Sequence, residues 1–128
     1  MKKRAVSVKE GITGELPGGT GTFNILLDED ISGTKNFSLL INEMKPGITG
    51  VEHSHTVEHC WYILSGHGKM YMEGKVYEMR PEMAIFAPAT VPHRIDVDPG
   101  APLRYVVVYA PPGPEKQLKQ KGKDAFKY

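Results

Sequence analysis

The stretch Gly47–Gly66, GITGVEHSHTVEHCWYILSG, decides how this chain folds. It holds three of the five histidines, His53, His55 and His59. His53 and His55 are two apart, so on an extended chain their side chains fall on one face. His59 keeps the same parity after a short interruption at residues 56–58. The run that follows, Cys60 to Leu64, is aromatic and β-branched, as a strand should be. Pro46-Gly47 opens the stretch and Ser65-Gly66 closes it, both as turns. Three imidazoles on one face of adjacent strands are a metal-ligand arrangement, and neutral imidazole suits Mn, Fe, Co, Ni, Cu and Zn alike.

Outward from this stretch the ten prolines and fourteen glycines punctuate the chain often, which favours many short strands over long helices. Lys2 to Lys9 alternates weakly and reads as an edge strand, or as one lent to a partner subunit. Glu10 to Gly21 reads as a loop and Thr22 to Leu27 as a strand. Asn36 to Met44 carries apolar residues in both alternating sets, which predicts a strand covered on both faces. Gly68 to Met72 and Lys75 to Met79 read as a hairpin around Glu73-Gly74. Ala84 to Ala87 is a short apolar strand, and His93 to Val97 is a strand bearing a further histidine. Leu103 to Tyr109, LRYVVVY, is the clearest strand of all. Pro111 to Pro114 ends the strand-rich region, and the lysine-rich Glu115 to Tyr128 reads as a short surface helix or a loose tail. The pattern predicts an all-β antiparallel barrel or sandwich.

The 128 residues are expected to form one domain. A formal charge of +1 carries no nucleic-acid or membrane signal. The single cysteine, Cys60, excludes an internal disulfide and fits a reducing compartment; it reads as a small buried hydrophobe, not a nucleophile. The basic N-terminus lacks an apolar core of the signal-peptide kind, so the expected location is cytoplasmic.

The histidine stretch resembles the first motif of the cupin superfamily: a glycine, five residues, His-x-His, three or four residues, usually Glu, six residues, then glycine. Here Gly47, His53, His55, His59 and Gly66 stand at those positions, with His59 where Glu is usual. The second motif keeps Pro88 and His93 but has Glu82 and Thr90 for its two glycines and Val97 for its asparagine. The missing glycines suggest slightly altered turns. The resemblance covers about residues 36–112 and implies a double-stranded β-helix, the jelly-roll or cupin barrel. It divides the chain into N-terminal strands and loops (1–35), the barrel (36–112) and a C-terminal tail or short helix (113–128). The all-histidine version is similar to small bacterial cupins that hold a divalent metal, often manganese. By that resemblance His53, His55, His59 and His93 are the ligands, and the protein is a homodimer, with N-terminal strands often exchanged between subunits.

Four neutral ligands leave the ion its full charge, which makes it a stronger Lewis acid and favours anionic or chelating substrates. Mn or Fe is expected first, with Zn, Ni, Co or Cu also compatible. His67, just past the Gly66 turn, reads as exposed. If His59 points inward, so do Trp61 and Ile63; Met70, Met72, Phe86, Ile95, Val106 and Val108 complete the expected pocket wall, although Tyr105, Val107 and Tyr109 are the alternative on the last strand. Few acids or bases fall inside, which suits chemistry performed at the metal. The leading expectation is a small-molecule dioxygenase acting on a chelating, oxygenated substrate. The alternatives are a redox-neutral lyase or isomerase acting on a sugar acid or keto acid, and a non-catalytic binder of a small ligand.

Overall fold

Side-chain alternation sets the facing of every strand, and the structure, a computed structural model describing residues 2–120, follows it closely. The strands are β1 (Ile12–Glu15), β2 (Gly21–Leu27), β3 (Ser38–Met44), β4 (Glu58–Ser65), β5 (Gly68–Met72), β6 (Lys75–Met79), β7 (Ala84–Ala87), β8 (His93–Val97) and β9 (Leu103–Ala110), followed by the helix α1 (Pro114–Lys119). They form a large sheet, ordered β1-β2-β3-β9-β4-β7, and a small one, β6-β5-β8. Every neighbouring pair is antiparallel. The fold is an all-β jelly-roll barrel. Its core is filled by inward residues of both sheets, among them Leu40, Ile63, Met70, Met79, Leu103 and Val107. No helix of the described residues is long and apolar enough to cross a membrane.

Several expectations are corrected. Within the chain residues 2–9 form no edge strand, and a 3-10 turn stands at Val8–Glu10. The edge strand is β1 instead, inside the glycine-rich segment expected to be a loop. Its Gly14 is needed there because a Cβ would come within 2.6 Å of the Phe23 ring that crosses it. Strand β3 is not covered on both faces: Ser38, Leu40, Asn42 and Met44 point inward and are buried, while Leu39 and Ile41 remain half-buried outside. Cys60 is exposed, because the parity that turns His59 and Trp61 inward turns Cys60 out.

The turns hold their shape without the missing glycines. Glu82 and Thr90 adopt φ of 70° and 68°, the left-handed conformation that glycine takes without cost. The Glu73-Gly74 hairpin has φ of 56° and 73°, as a type I′ turn requires.

Helix α1 is more than a surface turn. Glu115 is fully buried and accepts hydrogen bonds from Ser38 Oγ (2.8 Å) and the Gly113 amide (2.9 Å). Lys119 pairs with the buried Asp28 and with Asp30 (2.7 Å), tying the helix to the β2–β3 connection. Asp28 in turn accepts from the amides of Asp30 and Ile31. The rest of the expected tail, residues 121–128, lies outside the described residues.

Candidate metal centre

The segment that enters the histidine stretch is laid against β8. Isolated antiparallel bridges join Thr49 to Asp96 and His53 to His93. The approach is close at Gly50, where a Cβ would sit 2.2 Å from the Ile95 carbonyl oxygen, so only glycine fits. The Gly50 amide donates to that oxygen (3.0 Å), and the amides and carbonyls of His53 and His93 exchange bonds of 3.0 and 2.9 Å. The Thr90 amide donates to the His55 carbonyl (2.7 Å), which ties the second histidine to the turn before β8. His59 comes from β4, in register with Tyr109 on one side and the small Ala87 on the other.

These backbones converge the rings. One ligand atom each from His53, His55 and His93 lies within 4.8 Å of the others. The His59 ring centroid is 4.7 Å from that of His93 and 5.0 Å from that of His55. His53 Nδ1 faces the Val51 carbonyl (2.8 Å) and His93 Nδ1 the Val91 carbonyl (3.0 Å). A carbonyl can only accept, so each neutral ring carries its proton on Nδ1 and keeps a lone pair on Nε2. Both ring nitrogens of His59 and Nε2 of His93 are buried without a hydrogen-bond partner.

Burial disfavours the charged form of all four rings. It lowers His53 from its ordinary value, against a smaller opposing effect of the Val51 carbonyl. Burial, reinforced by the neighbouring histidines, lowers His55 to about 4 and His59 to about 2. His93 is lowered to about 4, again mainly by burial. At neutral pH the cluster is four uncharged imidazoles, the protonation state a metal requires.

His53, His55 and His59 of the cluster line a cavity of about 840 Å³. Trp61 and Ile95 line it. Ile63, Met70 and Met72 are buried in the core and are not part of its wall. Phe86 is 52% exposed on the outer face of β7, because Ile85 and Ala87 take the inward positions. Val106 and Val108 also face out; Tyr105 and Tyr109 provide the wall from β9. The sequence does not point to Asn42 and Met44 of β3 or Leu118 of α1, which also line it, together with residues of the 16–20 and 48–54 segments. Apolar residues in both alternating sets of β3 leave its inward parity open in the sequence, and burial of Ser38, Leu40, Asn42 and Met44 settles it. His67 is exposed and lies outside the cluster. Glu52, exposed at the rim, is the one charged side chain among the described residues of the lining.

No curated protein sequence matches the chain. Among solved structures it is similar to the polyketide cyclase RemF from Streptomyces resistomycificus, at 30% identity and a TM-score of 0.74, over 88% of this chain and 81% of that one. It is also similar to KdgF from Halomonas sp. (15% identity, TM-score 0.73, covering 87% and 97%). A predicted oxalate decarboxylase from Thermotoga maritima matches at 21% identity and a TM-score of 0.70, covering 84% and 99%. The latter two likenesses concern the fold alone. A cupin-domain family model matches residues 40–109, more than half of the sequence and all of the histidine stretch, and the chain belongs to the cupin family.

Proposed function

We propose that this protein is a metal-dependent enzyme acting on an uncharged, polyoxygenated small molecule that chelates the ion through adjacent oxygens. His53, His55, His59 and His93 would hold a divalent metal. The unpartnered, buried nitrogens of His59 and His93 support this, since polar atoms left so are costly without a partner. When bound, the ion would act as a Lewis acid toward a substrate oxygen, with Mn or Fe the expected metals.

The observation that carries the substrate class is the cavity wall. Trp61, Tyr105, Tyr109, Met44 and Ile95 make it aromatic and apolar, and no lysine or arginine lines it among the described residues. A small dianion would find no cationic partner there beyond the metal. A flat carbonyl or phenolic skeleton would pack on Trp61 and the tyrosines. The 30% identical relative is a polyketide cyclase, which favours a redox-neutral ring closure over the dioxygenase chemistry expected first. In such a step a proton leaves the carbon between two carbonyls, that carbon bonds to a further carbonyl carbon of the same molecule, and the oxygen there takes up the proton as a hydroxyl. Loss of a second proton from the same carbon forms a carbon–carbon double bond as the hydroxyl, protonated in turn, departs as water. Tyr109, with its ring 5.4 Å from that of His59 and 5.7 Å from that of His55, is the side chain best situated to hand over a proton. The test is turnover of aromatic-precursor polyketones in sealed anaerobic cells. Undiminished product without dioxygen supports this reading; strict oxygen dependence returns the dioxygenase.

We also propose a homodimer through the outer face of the large sheet. There Leu39, Val108, Cys60 and Phe86 form one cross-strand apolar row and Ile41, Val106, Tyr62 and Ala84 the next. Light scattering on wild type and Phe86→Glu tests it: a dimer that becomes a monomer is expected.

A further inference from the structure

We propose that Asn42 is a second anchor in the cavity, hydrogen-bonding a substrate hydroxyl at the end away from the histidines, so that the enzyme selects an extended molecule oxygenated at both ends. This rests on the proposed function and narrows its substrate class.

Asn42 points inward from β3, is only 3% exposed, lines the cavity, and leaves its Oδ1 without a hydrogen-bond partner. Asparagine is a poor choice for that position if packing alone matters. Its inward neighbours along the strand include Leu40 and Met44, and a buried amide oxygen without a partner is destabilising. A ligand hydroxyl would supply the missing donor.

Register sets the two anchors at different levels of the barrel. On β9, Tyr109 pairs with His59 of β4, whereas Tyr105 pairs with Asn42 of β3. From Tyr109 to Tyr105 is four residues of strand, about 13 Å. Trp61 and Val107 pair between these levels. Oxalate-sized or three-carbon acids cannot span that length, whereas a chain or fused-ring molecule with a chelating pair at one end and a hydroxyl at the other can.

The test compares 4-phenylcatechol, which chelates through the diol at one end, with its derivative carrying a hydroxyl para on the far ring, both titrated into zinc-loaded and metal-free protein. Trp61 fluorescence reports binding. Wild type should bind the hydroxylated probe about tenfold more tightly than the parent. Asn42→Leu should bind both probes equally, with unchanged zinc content and a melting temperature equal to or above wild type. Asn42→Ala should lose the same preference, which separates the missing amide from any effect of the leucine. A merely structural asparagine would instead lower the melting temperature on replacement. No preference in wild type, or a preference that persists in both variants, would overturn the role of Asn42. Equal affinity of the parent probe for zinc-loaded and metal-free protein would overturn the chelation reading separately, and binding of neither probe would overturn both.

Discussion

His53 and His93 face each other across an antiparallel bridge, their amides and carbonyls exchanging hydrogen bonds of 3.0 and 2.9 Å and their ring centroids 4.4 Å apart. Two histidines forty positions apart in the chain are thus held by backbone, not by flexible side-chain contacts. Each ring is also oriented through Nδ1 by the carbonyl two residues before it. The fold pre-orders the cluster, and an ion would find these two rings already aimed.

That pre-order has a pH signature in the metal-free protein. In an unfolded chain imidazole takes up its proton near 6.5, whereas burial holds His55 and His93 at about 4 and His59 at about 2 in the fold. Between these values the unfolded chain binds more protons, so stability is full above pH 6.5 and falls as pH drops toward 4. Thermal melts in chelator across that range should show a steady fall in midpoint. A flat profile would mean that the rings are hydrated in the fold.

Replacing the histidines singly tests each as a ligand. His55→Ala and His59→Ala should each weaken metal binding roughly a hundredfold, the share of one ligand in a four-ligand site. His59→Glu should retain the ion, since a carboxylate also ligates, but lower its Lewis acidity by cancelling one unit of charge. Competition with a fluorescent chelator measures all three. Undiminished affinity in His59→Ala would make His59 a wall residue beside a three-histidine centre.

Thr90 holds a left-handed conformation with φ of 68° while its amide secures the His55 carbonyl. A β-branched residue there costs about 1–2 kcal/mol. Glycine would relieve this, less the entropy it adds to the unfolded chain, so Thr90→Gly should stabilise by about 1 kcal/mol. Denaturant titration checks it, with metal affinity expected to stay unchanged.

Asp28 is sealed beneath α1, where it accepts two amide bonds and pairs with Lys119. Asp28→Ala should destabilise the protein by about 2–4 kcal/mol. Asp30→Ala, on the exposed side of the same lysine, should cost much less, because solvent already screens that pair. Chemical denaturation of both variants makes the comparison.

Much of this was legible in the sequence where a single parity carried the message. On β4, His59, Trp61 and Ile63 are the buried set, and spacing alone put them on one face. On β9 both parities are β-branched or aromatic, so alternation could not choose between Val106 and Tyr105; register does, by setting Tyr109 opposite His59. Phe86 misled because size suggests burial, yet the small Ala87 must stand beside His59 and parity then sends Phe86 out. Strand β1 was hidden because its Gly14 serves the ring of Phe23, a contact that local propensity does not record. Asn42 was hidden for the opposite reason: a polar residue inside a barrel makes sense only once there is a cavity for it to face.

The most direct measurement is elemental analysis of untagged protein purified without chelator, alongside His53→Ala. The account predicts about one divalent ion per chain in wild type and its loss in a variant that still folds. No ion in wild type even after reconstitution, or full occupancy without His53, would contradict it.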